Sequence, residues 1–391
     1  MNFIISIVLV NVKGCLRWAS ALALCCAWCA AQATPLTYVV NRDDSNVSVV
    51  DVVNKRTVTT IPAGIAMPQE IAISPDGCLA YLSSVWSATI AVLDLGKHQL
   101  LAGIPLNQVS NGVVFSPSGA LAYIDTNTPG GGAIAVIDTA THQLVRTFPV
   151  SPHNTRGMAI HPDGSRLYAL EQHRDPDVGQ VAVIDPSSGT VLERIGVGTD
   201  ASDIQVHPAG TLAYVVNRES RQAHGTVTVI NTRTHAVAAT VAVGKHPSRV
   251  AFHPAGNQAY VTNSGDGTVS VIDTASHAVV GVIEVDQTPQ HVVFHPAGTH
   301  AYVSNPQRNS LSIIDTATQE VHGAVTVGSA PWGVALASNG RETATPQGTN
   351  GLEAGSVVAG KPIPISGVWA GLLLLVVGMT ALHRHGQKLM G

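Results

Sequence analysis

The sequence predicts an all-β protein, a seven-bladed β-propeller, on three observations. A unit of 42 to 46 residues occurs seven times, each time marked by a tyrosine in a β-branched run. Within each unit the apolar residues form short runs separated by Gly, Pro, Asn and Asp, as strands and turns do. Charged residues make up only 12% of the 391 residues, whereas disordered chains are rich in charge. The repeat tyrosines are Tyr38, Tyr81, Tyr123, Tyr168, Tyr214, Tyr260 and Tyr302.

Each unit supplies four strands. In the unit that starts at residue 259 they are "AYVTN", "TVSVIDT", "AVVGVIEV" and "HVVFH". The Asp or Asn that ends the second run can accept bonds from backbone N–H groups and close the turn into the third run. A Pro-x-Gly turn such as "HPAG" follows the fourth run, where Pro fixes φ and Gly permits a positive φ. Strands that are apolar on both faces need neighbours on both faces, and blades stacked around an axis supply them.

The ring is predicted to close by pairing the two ends of the repeat region. The region begins with "TYVVN", which is the second kind of strand, and ends with "PWGVALAS" (Pro331–Ser338), which is the first kind. The last strand can therefore complete the first blade, which removes a free sheet edge.

The Tyr-Val-Thr-Asn, Thr-Val-Ser-Val-Ile-Asp-Thr and Pro-x-Gly motifs resemble the YVTN family of propeller repeats over residues 36–340. The resemblance implies a propeller domain over residues 34–340.

Both ends of the chain are predicted to carry targeting segments. Residues 1–33 hold Arg17, an apolar run and the small-residue triplet before Thr34, which is typical of a cleaved secretory signal peptide. Residues 341–361 predict a flexible tether. Residues 362–391 contain 20 uncharged residues, Ile363–Leu382, followed by basic ones, which predicts one transmembrane helix with a cytoplasmic end.

This tail resembles the IPTL-type sorting tails of exported proteins, and a plain membrane anchor is the alternative. The residues that match the IPTL pattern are Ile363, Pro364, Ser366 and Trp369, while Ile365 departs from it. The protein is therefore expected to be exported to the periplasm or cell surface and tethered to the membrane at least transiently. The sequence shows no basic stripe, so nucleic acid is not an expected partner.

Function is expected where the repeats differ. The distance from the repeat tyrosine to the following Asp or Asn is 13 residues in four units but 15, 17 and 17 in the units at Tyr123, Tyr168 and Tyr214. These insertions, at 126–132, 172–179 and 218–225, share a face with the segments that enter the first strand of each blade. We call this the loop-rich face, and we call the opposite face, which bears the Pro-x-Gly turns, the plain face.

Charged and aromatic residues on the loop-rich face are the candidate binding residues, because binding residues commonly lie on loops held by a rigid scaffold. The alternative is that they form an ordinary solvated rim. The candidates are Glu70, Arg156, Asp203, Arg249, His291 and Trp332 at the strand entries, and Arg174 and Arg218 in the insertions.

Two histidine columns lie on the plain face. His161, His207, His253 and His295 precede the Pro of the Pro-x-Gly turns and are weak candidates for a metal site, although His can also simply substitute for Ser there. His98, His142, His235 and His277 follow the repeat Asp or Asn and are expected to be solvated. Cys78 is the one cysteine outside the predicted signal peptide, so no cysteine-based metal site is expected. No cofactor is expected either.

Two functions follow from these features. The first is an envelope-associated binding or structural module that presents its loop-rich face to a protein, a glycan or a small molecule. The second is a propeller enzyme, either a lactone hydrolase or a cofactor-dependent oxidoreductase. The sequence contains no CxxCH haem motif beyond residue 33, no nucleophile elbow and no HExxH motif, which favours the first function.

Overall fold

The computed structural model describes residues 36–173, 179–219 and 224–337, and these form the predicted seven-bladed β-propeller. They contain 28 strands in seven four-stranded antiparallel sheets. This part of the chain holds no helix capable of crossing a membrane. The predicted signal peptide, the tether, the transmembrane tail and Arg174 lie outside the described residues.

The strands of each blade are numbered along the chain. Blade 1 contains β1 (Leu36–Asn41), β2 (Asn46–Asp51), β3 (Arg56–Pro62) and, from the far end of the chain, β28 (Pro331–Leu336). Blade 2 contains β4 (Glu70–Ile73), β5 (Leu79–Ser83), β6 (Thr89–Asp94) and β7 (Gln99–Pro105), and blade 3 contains β8 (Val109–Phe115), β9 (Leu121–Thr128), β10 (Gly131–Asp138) and β11 (Gln143–Ser151). Blade 4 contains β12 (Asn154–Ile160), β13 (Leu167–Gln172), β14 (Gly179–Asp185) and β15 (Thr190–Val197).

The remaining blades follow the same plan. Blade 5 contains β16 (Ala201–Val206), β17 (Leu212–Asn217), β18 (Thr226–Asn231) and β19 (Val237–Ala242), and blade 6 contains β20 (Pro247–Phe252), β21 (Gln258–Asn263), β22 (Thr268–Asp273) and β23 (Ala278–Glu284). Blade 7 contains β24 (Val292–Phe294), β25 (His300–Asn305), β26 (Ser310–Asp315) and β27 (Glu320–Thr326).

The innermost strand of every blade runs from the loop-rich face to the plain face. The second strand returns, so the hairpin between the second and third strands lies on the loop-rich face, as predicted. The two-residue insertion in blade 3 lengthens β9 and β10 to eight residues each and joins them by a tight turn at Thr128–Gly131. This insertion is therefore an extended hairpin rather than an irregular loop.

The turns on the plain face form by the predicted bonds. In blade 6 the Asp273 carboxylate accepts a hydrogen bond from the backbone N–H of Ser276 at 2.8 Å, and in blade 5 the Asn231 amide oxygen accepts bonds from Arg233 and Thr234 at 3.0 Å. The glycines of the Pro-x-Gly turns have φ values from 72° to 77°, a conformation that L side chains rarely adopt.

The recurring Tyr-Val-x-Asn motif ends in a buried asparagine whose side-chain amide is hydrogen-bonded to the next strand. Asn263 is fully buried, and its amide Nδ2 donates to Thr268 Oγ1 at 3.0 Å and to Ser270 Oγ at 2.9 Å on the next strand. Asn217 and Asn305 make the same pair of bonds in blades 5 and 7. The motif recurs because a buried amide must find partners, and the polar residues of the following strand supply them.

The core lies between blades rather than within one. Each hydrophobic cluster joins two neighbouring blades, so no blade is stable as an isolated sheet. The seventh cluster joins blade 7 to blade 1 and includes Val334 of β28 together with Val39 and Tyr302. β28 pairs with β1 at Thr37–Leu336, Tyr38–Ala335 and Val39–Val334, which confirms the predicted closure of the ring by the two ends.

Candidate functional site

The seven innermost strands surround a central channel of about 620 Å³. Two successive repeat positions at the start of each innermost strand form two rings around it. The mouth ring, nearest the loop-rich face, consists of Gln69, Asn111, Arg156, Ser202, Ser248, Gln290 and Trp332. The second ring, one residue deeper, consists of Glu70, Gly112, Gly157, Asp203, Arg249, His291 and Gly333. The sequence repeat therefore brings seven pairs of residues to one place, and in four of these pairs both members carry a side chain.

The sequence-predicted residues converge at this mouth. A cavity of about 250 Å³, the mouth cavity, is lined by six of the eight: Glu70, Arg156, Arg218, Arg249, His291 and Trp332. Asp203 lines the channel directly below it. The arrangement is compact because the repeat places equivalent residues at equal heights around one axis.

A buried ion pair crosses the channel. The Arg249 guanidinium contacts the Glu70 carboxylate through Nη2, and its Nη1 lies 3.5 Å from Asp203 Oδ1 and donates to the Ser202 carbonyl at 3.0 Å. Asp203 Oδ2 accepts the backbone N–H of Val250 at 2.9 Å. Burial lowers the pKa of Arg249 to about 10 and raises the pKa of Asp203 to about 7. The pair lines both the mouth cavity and the channel beneath it.

His291 is fixed in one tautomer by its surroundings. Its Nδ1 accepts the backbone N–H of Val334 at 2.8 Å, so the hydrogen of the neutral ring lies on Nε2. Burial and the nearby Arg249 charge lower the pKa of His291 to about 3. The imidazole is therefore neutral at physiological pH and acts as a hydrogen-bond donor toward the site.

Two further arginines give the mouth cavity an excess of positive charge. Arg156 Nη1 lies 3.4 Å from Asp200 Oδ1, and Arg218 Nη2 donates to Ser248 Oγ at 3.5 Å. The Arg218 Nε group is buried and has no hydrogen-bond partner within the described part of the chain. Burial and the Arg156 charge lower the pKa of Arg218. Trp332 closes the side of the cavity, with the Arg42 guanidinium 4.8 Å from its ring centroid.

The wall formed by blades 3 and 4 is open where the second ring has glycines. A Cβ atom at Gly112 would meet no atom within 4 Å. Behind this wall Asp125 is buried, and its Oδ1 accepts a short hydrogen bond from Thr155 Oγ1. Its Oδ2 has no hydrogen-bond partner among the described residues, and burial raises its pKa to about 7. Sequence reasoning missed Asp125, although it is the one acid at a position that is Val, Leu, Ser or Thr in other units.

The histidines before the Pro-x-Gly turns bind the blades together. His161, His207 and His253 donate through Nε2 to the carbonyls of Gly210, Gly256 and Gly298 in the next blade, at 2.8, 2.7 and 3.0 Å. In His207 and His253 the other ring nitrogen accepts a backbone N–H at 3.1 Å. These rings are thus engaged through both nitrogens, and the described residues contain no group of three or more His, Cys, Asp or Glu arranged to hold a metal ion.

The expectation that the second histidine column is solvated is wrong. His98, His142 and His277 are half-buried and contact the repeat tyrosine of the preceding blade, with Nδ1 to Oη distances of 3.4, 2.8 and 3.1 Å. Each has a positive φ, from 53° to 56°, which turns the ring back over the neighbouring blade. Burial lowers the pKa of His98 and of His142.

Comparison with known proteins gives related sequences and folds. Over 119 residues, or 30% of this chain, the sequence is 32% identical to the seven-bladed beta-propeller protein Rv1057 of Mycobacterium tuberculosis (strain ATCC 25618 / H37Rv), and the match spans only 30% of that relative. A chain of Kuenenia stuttgartiensis hydrazine synthase is similar with a TM-score of 0.66 and 22% identity, covering 72% of this chain and 92% of the other.

Two more solved structures share the fold. A functionally unknown protein from Desulfotomaculum acetoxidans DSM 771 has a TM-score of 0.66 and 17% identity, covering 78% of this chain and 99% of the other. The dihydro-heme d1 dehydrogenase NirN in complex with DHE has a TM-score of 0.57 and 16% identity, covering 78% of this chain and 77% of the other. At such identities these likenesses show the fold alone. The model of the Cytochrome D1 heme domain family matches residues 31–343, and because this match takes in the whole propeller, the chain belongs to that family.

Proposed function

We propose that this protein is an exported, envelope-associated binding propeller that takes a small carboxylate-bearing ligand into the mouth cavity of its loop-rich face. The observation that carries the proposal is the pair Arg156 and Arg218, which line one cavity, repel each other and leave the buried Arg218 Nε without a partner in the described chain. A buried donor without a partner costs free energy, which an incoming acceptor would recover.

The chemistry of the cavity matches a carboxylate attached to a flat or apolar body. Guanidinium groups bind carboxylates through two parallel N–H donors, and the neutral His291 adds a further donor beside them. The Trp332 indole offers an apolar surface against which a ligand ring can pack. Amides and hydroxyls of the mouth ring, such as Gln69 and Ser248, can fix the orientation of the ligand.

Export and attachment to the envelope are supported by the sequence at the two ends. The signal-like segment before Thr34 and the apolar segment Ile363–Leu382 both favour a protein held at the membrane. The YVTN-type repeats agree with a scaffold whose blades differ mainly in the residues that they present.

Calorimetric titration tests the binding proposal. Benzoate, succinate and citrate would be titrated into the protein, with the double variant Arg156→Gln/Arg218→Gln as the comparison. We expect at least one of the acids to bind and the double variant to bind it at least about tenfold more weakly, since each charged hydrogen bond contributes about 1.5–3 kcal/mol. The matched control removes two arginines from the plain face, Arg166→Gln/Arg233→Gln. Equal affinities in the wild type and in both variants would contradict the proposal.

Haem binding, with an oxidoreductase activity, is the second candidate, and family membership is the observation that favours it. Among the described residues that line the channel and its mouth, His291 is the one histidine, and it does not fit the role of an axial iron ligand. His291 has its Nδ1 lone pair bonded to Val334, its Nε2 carries a hydrogen, and the Arg249–Glu70 pair lies across the channel beside it. The arginines could still hold the carboxylates of a tetrapyrrole.

Absorbance titration separates the two candidates. Hemin and metal-free protoporphyrin would be added to the wild type and to His291→Gln. Tight binding of hemin alone, with an iron spectrum that changes in the His291 variant, would favour the haem candidate. Equal binding of both porphyrins, or binding of neither alongside binding of a simple carboxylate, would favour the carboxylate site.

A further inference from the structure

A second cavity lies on the plain face, remote from the mouth. It is a groove of about 460 Å³ between blades 4 and 5. Blade 4 contributes Tyr168, Arg166 and the turn that holds His161, and blade 5 contributes Asn231, Arg233 and their neighbours. Three departures from the repeat meet in this groove. Each of them adds a hydrogen-bond donor to the groove or removes an acceptor from it.

The first departure is a tyrosine hydroxyl without a partner among the described residues, a state that Tyr168 shares with Tyr260. At three other blade boundaries the repeat tyrosine contacts a histidine of the next blade, as Tyr81 contacts His142 at 2.8 Å. The equivalent residue opposite Tyr168 is His235, but its Nδ1 lies 2.7 Å from Glu193 Oε2 instead. The Tyr168 hydroxyl is therefore buried at the wall of the groove with no hydrogen-bond partner among the described residues.

Glu193 explains why the histidine is displaced. In blades 2 and 5 the residue at the Glu193 position is alanine, Ala102 and Ala239, and it offers no acceptor. The histidines of the following blades, His142 and His277, therefore keep their contacts with Tyr81 and Tyr214. Blade 4 alone has an acid at this position. The carboxylate draws His235 outward and uncovers the tyrosine.

The second departure is the loss of a carboxylate. The residue that ends the third strand of each blade is Asp in six blades and Asn231 in blade 5. At two other boundaries this carboxylate lies near the tyrosine: burial raises the pKa values of Tyr81 and Tyr214, and the Asp138 and Asp273 charges add to the increase. Asn231 keeps the turn through its amide oxygen and presents an uncharged amide to the groove.

The third departure is the gain of two guanidinium groups, Arg166 and Arg233. Arg166 donates through Nη1 to its own turn at Ser165 and retains further N–H donors. The acid of the groove, Asp163, already lies 2.6 Å from the His161 Nδ1 and accepts from the backbone N–H of Ser165 at 2.8 Å. The groove thus has hydrogen-bond donors in excess of free acceptors.

We propose that the groove between blades 4 and 5 binds a phosphate group, either of a soluble phosphate ester or of a lipid headgroup. Two guanidinium groups, the Tyr168 hydroxyl and the Asn231 amide together offer more donors than a carboxylate can accept. A phosphate dianion has three strongly accepting oxygens and matches them.

The test restores the repeat residue. Asn231→Asp returns the carboxylate found in the other six blades, and both residue types support this turn, so the fold is retained. Binding of inorganic phosphate and of glycerol 3-phosphate would be measured by calorimetry on the whole chain. We expect Asn231→Asp to weaken binding at least about tenfold, because it places a negative charge beside the anion. Tyr168→Phe, which removes one donor, should weaken it severalfold.

Matched changes and a lipid probe complete the experiment. Asp273→Asn makes the opposite exchange one blade further on and should leave phosphate binding unchanged. Vesicles of phosphatidylcholine with and without phosphatidic acid distinguish the lipid source from the soluble one. Binding of either phosphate probe that is lost in Asn231→Asp supports the proposal. Failure of inorganic phosphate, glycerol 3-phosphate and the phosphatidic acid vesicles alike to bind, or equal binding by the wild type and Asn231→Asp, would overturn it, and neither result affects the carboxylate site at the mouth.

Discussion

Arg249 of blade 6 forms an ion pair with Glu70 of blade 2, which lies three blades away around the ring. The two side chains are 19% and 16% exposed, so both charges are largely removed from water. Removing one member of such a pair leaves the other buried without compensation, whereas replacing both by apolar residues removes the desolvation cost as well. A substitution of Glu70 or Arg249 alone should therefore destabilise the fold more than an apolar replacement of both.

We predict that Glu70→Gln lowers the free energy of unfolding by about 3 kcal/mol and that Glu70→Leu/Arg249→Leu regains most of this loss. Guanidinium denaturation of both variants measures the difference. The control is Asp286→Asn, which breaks the exposed Arg308–Asp286 pair and should change stability by less than about 1 kcal/mol. A double variant less stable than Glu70→Gln would show that the pair stabilises the fold.

Stability should depend on the ionisation of Asp125. Its pKa is raised from 3.8 to about 7 by burial, so the folded protein keeps the proton while the unfolded chain releases it above pH 4. Asp125 thus lowers stability progressively as the pH rises from about 4 to about 7, by at most about 4 kcal/mol in total. Denaturation midpoints across this range should fall with pH in the wild type, and Asp125→Asn should reduce that slope to the part contributed by Asp203, whose pKa burial also raises to about 7. An identical slope in the variant would refute the assignment.

The tyrosine hydroxyls should differ in their contribution to stability. Tyr81→Phe breaks the bond to His142 and leaves a half-buried imidazole without its partner, which should cost about 1 kcal/mol. Tyr168→Phe removes a buried hydroxyl that has no partner in the described chain, and it should be neutral or stabilising in the absence of ligand. Thermal unfolding of the two variants side by side gives the comparison. A larger loss for Tyr168→Phe would reveal a partner for its hydroxyl.

Two glycines of the second ring should respond differently to the same substitution. A Cβ at Gly333 would lie 2.5 Å from the carbonyl oxygen of Gln69, so Gly333→Ala must displace backbone between blades 1 and 2. We expect a loss of about 1–3 kcal/mol. Gly112→Ala projects into open space and should leave stability nearly unchanged. Chemical denaturation of the pair checks this, and equal effects would contradict the close approach at Gly333.

Deletion of Pro331–Leu336 tests the closure of the ring. It removes β28 and exposes the edge of β1 together with the apolar side of blade 7 that Val334 covers. The loss should be several kcal/mol, enough to unfold a domain of ordinary stability. An unchanged unfolding midpoint in the truncated protein would show that the pairing contributes little.

Most of the fold could be predicted from the sequence because every blade repeats the same local signals. Runs of β-branched residues, an Asp or Asn at the turn and a Pro-x-Gly hairpin fix the strands without knowledge of tertiary contacts. Register of the repeat also placed Arg156, Arg249 and Trp332 at the mouth. The prediction failed for His98 and its equivalents, because their burial depends on a positive φ and on the neighbouring blade, neither of which residue type reveals.

The details of the site depend on distances around the ring that a linear pattern does not contain. The contact between Arg249 and Glu70 requires that blades 6 and 2 face each other across the axis. The buried Asp125 is recognisable only when the repeat units are aligned position by position. The sequence shows Asn231 as the exception among six aspartates. A binding role for Asn231 could be inferred only from the structure, which shows the groove and the displaced His235.

Since β28 and β1 are adjacent strands of one sheet, the propeller has no structural first blade. A short linker from Ala337 to Leu36 would join the two strands as an ordinary hairpin, and the chain could then be opened at another plain-face turn, such as that between β12 and β13. Such a circular permutant would keep every pairing except the hairpin that was cut. The same geometry means that a peptide fused at Leu36 and one fused at Ala337 would emerge side by side, which makes this boundary a natural position for a pair of reporters.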